Sequence, residues 1–122
     1  GLADIQQIAG FVNHLANYDA KGAVAFISEV TDRGVDEEEF TKSVLSYIRW
    51  MLFLKMDSSL ADIIGREISE EDLAQLKEIS QKFEMPQLQK AAQLFLEASG
   101  SIKYSPIPQL PIEMAVVELV RE

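Results

Sequence analysis

Few side chains in this sequence are of a type and spacing that could do chemistry. The one histidine is His14, and residue 11, where a Glu-x-x-His metal motif would need its glutamate, is Phe11. There is no cysteine, which excludes disulfides and thiolate metal ligands. No G-x-x-x-x-G-K run is present to cradle a phosphate, and the six glycines are scattered. The spacing suggests no Ser-His-Asp arrangement. The acidic run Asp36, Glu37, Glu38, Glu39 opens a predicted helix, where negative charge complements the exposed amides by about 0.3–1 kcal/mol per group. That explains it without a bound cation. Glu113, in the first turn of an unusually apolar segment, is the carboxylate closest to a buried acid, and the same complementarity accounts for it. No catalytic residue, cofactor site or metal site is therefore expected.

Charge narrows the field further. Twenty acidic against 11 basic side chains leave a formal net charge of −9. Nucleic acids and anionic membranes are held by concentrated Lys and Arg, so direct binding to either is not expected. A helix-turn-helix reader would need a basic recognition helix. Lys77 and Lys82 here face Glu70, Glu71, Asp72, Glu78 and Glu84, and the next helix brings only Lys90 and Lys103. No apolar run exceeds the five residues of Trp50 to Leu54, far short of the roughly 20 residues of a membrane span. With no signal peptide and no initiator Met, a cytoplasmic fragment of a longer protein is expected.

The apolar residues repeat with a helical period, and no alternating strand pattern competes with it. The spacing predicts five or six helices in a single all-α domain over residues 1–122. The first runs from about Ala3 to Tyr18, with Ile5, Ile8, Val12 and Leu15 on one stripe. Asp19 caps a second, ended by Gly34. Asp36 starts a third, which reaches Met56. A short helical turn follows at Ser59 to Ile64. "SEED", Ser69 to Asp72, opens a fourth helix through Phe83. Pro86 starts a fifth and Pro111 a sixth. Pro106 and Pro108 stiffen the connector before it, because a residue preceding proline is steered away from helix. Together the three prolines should fix the angle of the last helix. The long third and fifth helices are expected at the centre.

Two of these helices carry more apolar surface than one core can use. On a wheel of about 100° per residue, Phe40, Val44, Tyr47, Ile48, Met51 and Leu54 share one side of the third helix. Phe53 lies nearly opposite, among Lys42, Ser46 and Arg49, and Trp50 sits at the stripe's edge. In the last helix Ile112, Ala115, Val116 and Leu119 turn inward, which leaves Met114 and Val117 facing elsewhere. A helix apolar on several sides is either central in its bundle or meets another protein. Trp50, Phe53, Met114 and Val117 are the expected subunit-interface residues.

These stretches resemble one family. "DRGVDEEEFTKSVLSYIRWMLFLKM", Asp32 to Met56, is similar to a collar helix of the bacterial DNA polymerase III gamma/tau subunit. That helix shows a glycine, an acidic start, an aromatic and then an Arg before an apolar run, here Gly34, Asp36 to Glu39, Phe40, Arg49 and Leu52 to Leu54. "KYSPIPQLPIEMAVVELV" resembles the family's last collar helix, with Ser105, Pro108, Leu110, Glu113, Met114, Ala115 and Leu119 in the matching order. Pro106, Pro111 and Trp50 depart from the pattern. The resemblance implies the third domain of a clamp-loader subunit, without the N-terminal AAA+ ATPase unit. In that family three gamma/tau collars join those of delta and delta-prime in a ring that holds the ATPase modules while the sliding clamp is loaded. It implies a non-catalytic scaffold whose partners are other gamma/tau collars, delta and delta-prime. The competing readings are a generic helical adaptor unrelated to replication and, more distantly, an acid-base enzyme built around Glu113.

Overall fold

Four helices begin where a side chain can take up an amide that a first turn leaves unpaired. Asp4 accepts the Gln7 amide at 2.9 Å, while its own amide donates to the Gln7 side chain at 3.2 Å. Asp19 accepts from the Gly22 amide at 2.9 Å, Asp36 from Glu39 at 3.1 Å and Ser69 from Asp72 at 3.1 Å. The computed structural model describes residues 4–121. Within them lie seven α-helices: α1 (Ile5–Ala16), α2 (Ala20–Asp32), α3 (Glu37–Met56), α4 (Ala61–Ile64), α5 (Glu70–Ser80), α6 (Met85–Ser101) and α7 (Leu110–Val120). Short 3-10 turns at Ser58–Leu60 and Ile102–Tyr104 complete the chain, and no strand occurs among the described residues.

The all-α class is as expected, and the helix count is corrected from five or six to seven. The turn expected at Ser59 to Ile64 closes as a 3-10 turn followed by the four-residue α4, with Gly65 N–H donating to Ala61 at 2.8 Å. The expected start at Ala3 lies outside the described residues. The helix from Ser69 stops at Ser80, short of Phe83. The amides of Lys82 and Phe83 reach back only three residues, to Ile79 and Ser80, so the chain tightens and Phe83 still turns into the core. Pro86 and Pro111 each stand one residue inside their helices, where a missing N–H still costs nothing. Gly34 follows α2 with φ +89°, the left-handed conformation that glycine adopts freely. After α1 the equivalent bend is made by Tyr18, at φ +56°, against the preference of any side chain with a Cβ.

The core is contiguous. α3 packs against α1, α5 and α6, and α6 packs in turn against α7, so the two longest helices are central. Phe11 of α1 meets Phe40 edge-on at 5.0 Å between ring centres and Phe95 at 6.1 Å, while Phe26 flanks the group at 5.9 Å from Phe11. Phe40, Val44, Tyr47, Ile48 and Met51 are buried, as the wheel of α3 predicts, and Leu54 is half-buried. Thr41 is also buried, which the wheel did not foresee. Its hydroxyl donates to the Glu37 carbonyl at 2.8 Å, so a polar side chain sits inside at little cost.

Candidate functional site

The four candidate interface residues fall on two different surfaces. Met114 and Val117 stand on the outer side of α7 and are 62% and 58% exposed, while Ile112, Ala115, Val116 and Leu119 are buried behind them. α7 is thus apolar on both faces, with only one of them covered. Trp50 and Phe53 are on α3 and are half-buried against the core. The expectation that Phe53 stands opposite the core is corrected. α3 is flanked by helices and, near its end, by the Ser58–Leu60 turn and α4, so its covered arc is wider than one wheel stripe. The Arg49 guanidinium lies over the Phe53 ring at 4.6 Å and shields part of the remainder.

Trp50 meets Tyr47 edge-on at 6.3 Å. With Ile5, Ile8, Ser43, Ser46 and Tyr47 it lines a notch of about 160 Å³. The Tyr47 hydroxyl is buried and makes no hydrogen bond, and burial pushes its pKa up, with the Asp72 carboxylate adding to the shift. A phenol held neutral in this way packs as an aromatic and is a poor proton donor at neutral pH.

A larger depression runs between α6 and α7, about 570 Å³, walled by Leu94, Ala98, Tyr104, Leu110, Met114 and Ala115 among others. Its lining includes the small buried side chains Ala98 of α6 and Ala115 of α7, two helices that pack against each other. Its far end is shaped by the connector. Ser105 takes an extended conformation before Pro106, as a residue preceding proline must, and its hydroxyl donates to the Ile107 carbonyl at 2.6 Å. The Leu110 amide then closes a turn onto Ile107 at 3.1 Å, and α7 begins. Tyr104, Ile107 and Leu110 are left 86%, 54% and 40% exposed along this edge. Leu96, on the outer side of α6, is 60% exposed. Tyr104 and Leu110 line the groove with Met114, and Ile107 and Leu96 are further exposed apolar residues outside it. The sequence reading missed them because they stand in a connector or on a helix whose core stripe was already accounted for. The signal was the apolar residues interleaved with Pro106, Pro108 and Pro111.

Two carboxylates line the groove and no cation does. Glu118 is held by Arg121 at 3.0 Å and, more loosely, by Lys90 at 4.0 Å. Glu97 has no ionic partner among the described residues.

The polar candidates have local structural work. His14 Nδ1 lies 3.0 Å from Asp19 Oδ2 at the α1–α2 turn. Asp19's carboxyl is held below its usual pKa first by the Gly22 amide and then by His14. Asp57, which ends α3, is held down by the amide and hydroxyl of Ser59. Glu113 sits in the first turn of α7, half-buried. Among the described residues no three His, Asp or Glu side chains are grouped to hold a metal ion. No described helix is long and apolar enough to cross a membrane.

What this arrangement can do is bind another apolar surface. An exposed helix face beside a groove offers shape and buried area. Among curated proteins no relative matches the chain. The family model for DNA polymerase III subunits gamma and tau, domain III, matches residues 1–122, the whole length, and the chain belongs to that family.

Proposed function

We propose that this chain is the oligomerisation and scaffold domain of a clamp-loader subunit, holding ATPase modules in a ring while the sliding clamp is loaded during DNA replication. In this reading it is one domain of a longer cytoplasmic subunit, with an AAA+ unit on its N-terminal side. Its partners are other gamma/tau collars and the delta and delta-prime subunits. It performs no catalysis itself. The observation that carries the reading is the outer face of α7, where Met114 and Val117 stay in water beside the α6–α7 groove. Leaving a large apolar side chain exposed forgoes about 1.5–3 kcal/mol, which a partner recovers by covering it. The family membership favours this over an adaptor unrelated to replication.

Co-purification with the delta and delta-prime collars tests it. Wild-type chain is expected to be retained and Met114→Asp to be lost, with both equally folded by circular dichroism. Retention of Met114→Asp at wild-type level would remove α7 from the assembly. A second expectation concerns DNA. With a net charge of −9, binding tighter than roughly 10⁻⁴ M at physiological salt is not expected, and finding it would count against the scaffold reading.

A further inference from the structure

The groove between α6 and α7 is concave and its charged lining is acidic, which limits what can fill it. Pairing groove to groove about a two-fold axis sets hollow against hollow and brings Glu97, which has no ionic partner among the described residues, towards its counterpart in the other copy. The occupant must instead be convex, apolar and basic. One element of this chain meets that description. Beyond its acidic first turn, α3 carries Lys42, Arg49 and Lys55 and no Asp or Glu through Met56, in a chain that is otherwise strongly acidic. Its outer stripe runs Lys42, Ser46, Arg49, Phe53, Met56, at the i, i+4, i+7, i+11, i+14 spacing of one helix face. Lys42, Ser46, Arg49 and Met56 are exposed, Phe53 is half-buried, and Arg49 has no carboxylate partner among the described residues.

Taking the groove as a collar contact, as proposed above, we infer that its occupant is the outer face of α3 from a second copy of this chain, with Arg49 of one copy meeting Glu97 of the next. The contact is head to tail. Each copy presents a ridge on α3 and a groove on α6–α7, so each can engage two neighbours through unlike surfaces. This joins the two groups of candidate residues: Phe53 belongs to the ridge and Met114 to the groove. Phe53 and Met56 supply the apolar body, and Arg49, stacked on Phe53, is held at the ridge with its guanidinium edge free to pair. Unlike surfaces also let the same groove accept a different subunit whose helix carries the same pattern of apolar and basic residues.

The test is self-association of the full-length subunit, followed by sedimentation, with charge reversals at the two exposed positions. Arg49→Glu and Glu97→Lys are each expected to weaken association about tenfold, since each sets like charges across the contact. The double variant, both changes in one chain, restores an opposite pair at every contact and is expected to return to within about threefold of wild type. Glu71→Lys, the same charge change on exposed α5, should have no effect. Met114→Asp reports separately on the groove. If Met114→Asp weakens association while Arg49→Glu does not, the groove remains a contact and the α3 ridge is overturned as its occupant. Failure of the double variant to recover also overturns the pairing. If neither Met114→Asp nor Arg49→Glu changes association, the groove reading falls together with it.

Discussion

α3 and α7 are both more apolar than a one-sided surface helix needs to be, and the fold treats them differently. α3 is surrounded. Helices pack on several of its sides, and even Trp50 and Phe53, off its main stripe, are half-buried. α7 packs chiefly against α6 and α2, and Met114 and Val117 remain in water. The same sequence signal therefore has two physical outcomes. Apolar surplus on a central helix is absorbed by neighbours within the chain. On a peripheral helix it stays exposed. Which applies depends on the number of flanking elements, a property of topology that a helical wheel does not contain.

The sharpest way to break this contrast is to truncate one methionine from each helix. Met51 is fully buried, and Met51→Ala is expected to cost about 2–5 kcal/mol in chemical denaturation. Met114→Ala should change the unfolding free energy of the isolated domain by less than about 0.5 kcal/mol while weakening assembly. Equal destabilisation by the two would mean that α7 is covered on both sides within the chain. Phe53→Ala comes next. Its half-burial and its Arg49 contact predict a loss of about 1–2 kcal/mol, between the two methionines. A loss as large as that of Met51→Ala would place Phe53 wholly in the core and remove it from any ridge.

The helix starts differ too. Asp36 accepts the Glu39 amide at the head of α3, whereas Gln109 makes no side-chain cap on α7. Asp36→Ala is expected to cost about 1 kcal/mol and Gln109→Ala almost nothing. A small stability effect should also come from the connector. Pro106→Ala with Pro108→Ala loosens the unfolded and folded chain alike and should lower stability by no more than about 1 kcal/mol. Assembly should fall by more than that accounts for, because the angle of α7 is no longer held. If stability and assembly are both unchanged, the prolines make a stiff surface loop and nothing more.

Much of the fold was legible because its signals are local. Asp19, Asp36 and Ser69 mark helix starts by side-chain chemistry alone, and Gly34 marks an end. The inward residues of α7 follow from their spacing. Other features depended on contacts distant in sequence. Tyr18 takes a left-handed conformation without being glycine, and its hydroxyl is paired with the Gln87 side chain of α6. Nothing near Tyr18 in the sequence announces that partner. The site was legible as a surplus of apolar groups but not as a groove, since its lining comes from α6, α7 and the connector together, and periodicity within one helix does not say which helix packs beside it.

The edge-on contact between Tyr47 and Trp50 has an optical consequence. Trp50 is the only tryptophan in the chain, so ultraviolet emission above the tyrosine band comes from one known place. Tyr47, with its ring centre 6.3 Å away, is close enough to pass its excitation to the indole almost completely. In the folded protein the emission of Tyr47, one of three tyrosines, should therefore be passed to Trp50, and tyrosine emission should rise as α3 comes apart. The indole is half-buried on α3, outside the lining of the α6–α7 groove. An apolar ligand or peptide seated in that groove should leave the emission colour as it was, whereas a neighbour laid along α3 should shift it to the blue. A single fluorophore thus distinguishes which of the two surfaces has been covered, with no label added.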